Sequence, residues 1–242
     1  MDFDKVLGWK AEGMRFSLFT TSPNTAQSEW WSDFVGSPHE TSTAKASTGE
    51  FIYTGNYESG ILELRLLPDR IDWIFRPNVE ASPFFPSVGE FATQLKIFRT
   101  CFEEWMKKNP GVYSRIAFSV TLLDQVNGRE EGYSVINTFL PFLPLQSADW
   151  KDFYFQFNKR ALVPNDAELD ISVNRLVNYS IAHVQTMTFN GTMLPTSHYF
   201  ARIEIDINTQ FENNYKFEVE NVLALLGGMT DITKILKDLS EV

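Results

Sequence analysis

The chain has 242 residues, 43% of them apolar, which is enough for a proper core in one large domain or two smaller ones and excludes wholesale disorder. A formal charge of -10 opposes non-specific binding to a polyanion, because that binding comes from Lys and Arg displacing counterions. The single cysteine, Cys101, excludes an intramolecular disulfide and a multi-cysteine metal site and points to a reducing, cytoplasmic setting.

Twenty-one phenylalanines lean the composition toward sheet. The opening residues, MDFDKVLGWKAEGM, lack the apolar run of a signal peptide, and no later run reaches membrane-spanning length, so a soluble chain with no membrane partner is expected. MRFSLFTT alternates Met14, Phe16 and Leu18 against Arg15 and Ser17, the period of a half-buried strand. Ser22 and Pro23 predict the start of a helix through SEWWSDFV, ended by Gly36, and PHETSTAKASTGE then reads as a surface loop.

EFIYTGNY and GILELRLL form the arms of a predicted hairpin around Glu58-Ser59-Gly60, with Leu62, Leu64 and Leu66 inward and Glu63 and Arg65 outward. RIDWIFRP adds a strand in which Asp72 has Arg70 and Arg76 beside it. Ser87 and Glu90 suggest a capping box for a helix whose stripe is Phe91, Leu95, Phe98, Phe102 and Trp105; Lys107 and Lys108 suit its negative end.

The second half follows the same order: SRIAFSVTLL as a strand, REEGYSVINTFL as a helix and DFYFQFNKR as a strand. ELDISVNRLVNYSIAHVQTMTF is long enough for one bent strand or two, HYFARIEIDIN is another, and EVENVLALLGGMTDITKILKDL is a terminal helix broken at Gly227-Gly228. The expected fold class is therefore α+β, with two similar strand-helix-strands-helix units over 1–110 and 111–242, antiparallel sheet, and helices on one side, packed as one rigid body. In element order alone the chain resembles the tandem saddle of TATA-binding-like proteins and the paired units of some RNA-processing folds. It shares no motif with either, and its acidic balance opposes carrying their nucleic-acid function across.

No phosphate-loop, dinucleotide-binding or nucleophile-elbow motif occurs, and His39, His183 and His198 lack metal-ligand spacing, so neither a catalytic residue nor a cofactor nor a metal site is expected. The candidate binding residues lie on strands. Glu204, Asp206 and Asn208 share the polar face of RIEIDIN, and Asp170 extends it on the neighbouring strand. Tyr154, Gln156 and Asn158 occupy the polar face of DFYFQFNKR, while its phenylalanines are core. Arg175 stands in phase with Ile171, Val173 and Val177 on the buried face. It calls for a carboxylate such as Asp152, an anionic ligand, or a bulge that frees it.

The functional expectation is a non-enzymatic interaction protein, such as an immunity or regulatory factor, whose acidic polar surface receives a basic protein partner. The alternative is a small-ligand binder or metal-assisted hydrolase with a cleft around Arg175, Asp170, Glu204 and Asp206. A protein partner is expected, nucleic acid at Lys159-Arg160 is disfavoured, and a homo-oligomer is compatible with the sequence.

Overall fold

The computed structural model describes residues 3–78, 85–143, 145, 152–163, 171–189, 193–210 and 215–240. A short 3-10 turn, Phe3–Gly8, leads into β1 (Lys10–Thr20), α1 (Glu29–Val35), β2 (Thr41–Lys45), β3 (Glu50–Tyr57), β4 (Gly60–Leu67) and β5 (Arg70–Pro77). After these come β6 (Gly89–Glu90), α2 (Phe91–Lys108), β7 (Tyr113–Val126) and α3 (Arg129–Asn137). The chain closes with β8 (Tyr154–Leu162), β9 (Ser172–Phe189), β10 (Met193–Thr209), α4 (Val219–Thr230) and α5 (Ile232–Ser240).

All the strands join one antiparallel ten-stranded sheet in the order β2-β3-β4-β5-β1-β7-β10-β9-β8, with β6 on β1. β1 and β7 meet at the centre, where Phe16 opposes Phe118. Period-two alternation sends Phe16, Leu64, Trp73, Phe118, Val177 and Ile205 to one buried face. The helices pack on that face. Phe102 of α2 stacks on Phe16 at 4.4 Å between centroids, and Phe34 of α1 stacks on Trp73 at 4.1 Å. Such ring pairs each contribute roughly 0.5–1.5 kcal/mol beyond the area they bury.

Several local expectations change. Residues from Pro23 are not helical: the Asn24 side chain donates to the Leu67 carbonyl at 2.7 Å and its N–H to that of Pro68 at 2.9 Å, tying the segment to the sheet. The helix therefore starts at Glu29. Part of the presumed loop is β2, which pairs with β3 although every residue of it is exposed, so it shows no apolar alternation. Ser87 accepts the Gly89 N–H at 3.1 Å instead of capping α2, whose N-cap is Glu90. The glycine pair does not interrupt α4; the break falls at Asp231, whose Oδ1 accepts the Lys234 N–H at 3.1 Å.

Candidate functional site

Opposite the helices the same alternation lays out a polar face. Its centre is a network over β1, β7, β10 and β9. Arg202 donates to Glu204 and, at 3.2 Å, to Glu12. Asn178 donates to the other Glu204 oxygen at 2.9 Å, and Arg15 lies 3.5 Å from Asp206. Asn208 donates to Asp206 at 2.6 Å and accepts from Arg115 at 2.7 Å. A recess of about 470 Å³ opens between Arg15, Arg76 and Arg202.

Phe19 lies between two guanidinium groups, Arg115 at 4.9 Å from its centroid and Arg70 at 5.8 Å, an arrangement the register dictates because Phe19 opposes both residues. Arg70 also meets the nearly buried Asp72 at 2.9 Å. Toward the β2 edge, Arg65 links Glu63 at 2.7 Å and Glu50 at 3.5 Å. The Lys45 hydrogen bond at 2.6 Å holds the Glu50 carboxyl below its ordinary pKa.

Cation type divides between the faces. Arg15, Arg65, Arg70, Arg76, Arg115, Arg160 and Arg202, seven of the ten arginines, are in phase on the helix-free side. Of the lysines among the described residues, only Lys10 and Lys45 share that phase; Lys96, Lys107, Lys108, Lys234 and Lys237 are on helices. Arg is the cation suited to planar, bidentate contact with carboxylates and is enriched in interfaces where Lys is depleted.

The structure divides the residues singled out from sequence. Glu204, Asp206 and Asn208 lie together on the polar face, and Gln156 joins Glu204 through Asn178 in one cross-strand row. Tyr154 is beside Gln156 and donates to its side chain at 2.8 Å. Arg175 is on the other face, 3% exposed, and its partner is Asp238 of α5 at 2.9 Å, so neither a bulge nor Asp152 accounts for it. Arg175 therefore does not converge with Glu204 and Asp206; Asp170 lies outside the described residues.

The acids of β10 are also separated from Glu40 and Glu50 near β2 by the intervening strands, and each has an arginine of its own. Sequence reasoning missed Arg115, Arg202 and Phe19. Arg115 and Phe19 matter only once their neighbouring strands are known, whereas Arg202, two residues before Glu204 on the same strand face, was signalled by period-two alternation.

Among the described residues no three His, Cys, Asp or Glu side chains group as metal ligands, and no helix is long and apolar enough to cross a membrane. His183 instead stacks on Tyr199 at 4.3 Å, and His39 meets the Tyr53 ring at 5.0 Å. No protein-family model and no curated protein matches this sequence.

Proposed function

We propose that the protein is a non-enzymatic interaction protein that receives a protein partner on the helix-free face of its sheet. What supports this reading is the gathering of seven arginines on that face, which of the described lysines only Lys10 and Lys45 share. Several of them serve carboxylates of the same face, and arginine rather than lysine is also the cation enriched in interfaces. The partner presents carboxylates. Glu204 and Asp206 already have Arg202 and Arg15, whereas among the described residues no carboxylate lies within salt-bridge reach of Arg115 or Arg160.

This partner chemistry departs from the basic one suggested by net charge, because local pairing decides what a partner can add. The chain's overall negative charge still opposes long-range attraction of a nucleic acid. A regulatory role in the cytoplasm fits this reading. We also infer that 1–110 and 111–242 are two similar units packed as one body. In each, the first strand runs into a helix and the last strand of the following set returns beside it, β5 on β1 and β10 on β7.

Fluorescence anisotropy with a Glu-rich peptide, a Lys-rich peptide and a single-stranded oligonucleotide tests the reading. We expect saturable binding of the Glu-rich peptide alone, weakened about tenfold by Arg115→Ala, which corresponds to about 1.4 kcal/mol. Lys107→Ala should leave it unchanged. Binding of the Lys-rich peptide that disappears on charge reversal of Glu204 and Asp206 would instead support a basic partner.

A further inference from the structure

The two outer strands of the sheet differ in kind. β2 is five residues long, TSTAK, with every side chain exposed and no large apolar group. β8 is nine residues long, YFQFNKRAL, and pairs with β9 at each position from Tyr154↔Ser180 to Leu162↔Ser172 with no register shift. It contains no Pro and no Gly, and among the described residues no strand lies along its other side. Natural proteins blunt sheet edges by shortness, charged side chains, proline, bulges or cover; β8 has only the charges of Lys159 and Arg160, and a long edge flanked by exposed apolar side chains is a template for another strand.

Exposure points the same way. Among the described residues the exposed large apolar ones are Leu7, Val112, Phe142, Tyr154 and Leu162. β8 carries two of them, Tyr154 at its first position and Leu162 at its last, 63% and 61% exposed. Phe142, 44% exposed, packs against Phe155 of the same strand with ring centroids 6.1 Å apart.

We propose that β8 is the seam of a homodimer, in which a second copy adds its own β8 antiparallel about a two-fold axis at Asn158 and continues the sheet. This register pairs all nine residues. It sets Tyr154 against the partner's Leu162, and Leu162 against the partner's Tyr154, removing both exposed groups from water. Gln156 faces the partner's Arg160, and Asn158 faces the partner's Asn158, whose amides can both donate and accept. On the helix side Phe157 faces the partner's Lys159, whose aliphatic stem can lie along the ring while its ammonium keeps the Asp238 carbonyl.

The two Arg160 groups are four residues apart along the seam, roughly 13 Å. That exceeds the screening length of about 8 Å at physiological salt; the two Lys159 groups are closer, two residues or roughly 7 Å apart along the seam, and each is held toward its own α5 by its bond to the Asp238 carbonyl. Sliding the copies by two residues one way places Leu162 against Asp152, and sliding them the other way places Tyr154 against Pro164, which has no N–H to give. Only the register about Asn158 matches the exposed apolar groups. A single two-stranded seam is a small interface, so association falls in the micromolar range.

Sedimentation velocity from low to high micromolar concentration is the test. The wild-type chain should shift from monomer to dimer. Tyr154→Lys and Leu162→Glu should each leave a monomer with unchanged circular dichroism, because both side chains are solvent-exposed in the single copy. The double variant Tyr154→Lys/Leu162→Glu should dimerise again, and more weakly at high salt, since Lys then faces Glu twice across the seam. Arg115→Ala should leave the dimer intact, which separates this seam from the arginine face. A wild-type chain that stays monomeric at every concentration would overturn the proposal. So would a dimer indifferent to both single variants, or a double variant that fails to recover, which would mean another register or a foreign strand.

Discussion

Arg175 is 3% exposed and meets Asp238 of α5 at 2.9 Å, so a buried cation depends on one carboxylate for its charge pairing. Lys159 adds a second tie, donating to the Asp238 carbonyl at 3.1 Å. Asp238→Ala should cost about 2 kcal/mol in urea unfolding, below the full penalty for an unpaired buried charge because Asp238 is itself 40% exposed. Arg175→Met should cost less, since an apolar side chain needs no partner there. The phase of Arg175 and its need for a carboxylate were legible in the sequence. Its partner was not, because local alternation does not say which helix will cover a strand.

Asp124 makes a pH prediction. Burial foremost, with the nearby Glu131 charge second, pushes its carboxyl above the ordinary pKa. The folded protein therefore retains a proton that the unfolded chain has released, and this contribution is lost as pH rises through the folded pKa. Asp124→Asn should raise the melting temperature at neutral pH, with the advantage vanishing below about pH 4, where the unfolded carboxyl is also protonated.

Among the elements, the β3–β4 hairpin and α4 respond oppositely to the same substitution. Gly60 closes the hairpin at the Glu58-Ser59 turn, and a Cβ there would fall against the Arg76 carbonyl oxygen of β5. Gly60→Ala should therefore destabilise by about 1–3 kcal/mol in denaturant melts. Gly227 has room: the only atom near a Cβ is an Arg99 guanidinium nitrogen at 4.0 Å. In the interior of α4, Gly227→Ala should stabilise by about 0.5–1 kcal/mol.

The glycine pair read as a break because glycine weakens an isolated helix. Burial of Val222, Leu225, Leu226 and Met229 on one side of α4 outweighs that cost. The α2 helix was readable because its aromatic stripe has no other explanation. β2, with neither stripe nor alternation, was not. The opening of α1 failed for a related reason, since the Asn24 bonds to Leu67 and Pro68 join residues far apart in the chain.

At the scale of the molecule, alternation within each strand was sufficient to place Glu204, Asp206 and Asn208 on a polar face. What that face is for depends on strand order. Only when β1 lies between β5 and β7, and β7 beside β10, does Arg15 meet Asp206, Arg115 meet Asn208, and Phe19 lie between Arg70 and Arg115. These contacts pair Glu204 and Asp206 with Arg202 and Arg15, and among the described residues leave Arg115 and Arg160 without a carboxylate. The net charge of the whole chain, read without that map, does not show how these acids are paired.

The most direct measurement is arginine-directed dicarbonyl labelling, read by peptide mass spectrometry with and without the Glu-rich peptide. We expect protection of Arg115, Arg160 and Arg15, with Arg99 on α2 and Arg129 on α3 labelled equally in both samples. Protection confined to Arg99 and Arg129, or none at any arginine while the peptide is bound, would contradict an arginine face that receives the partner.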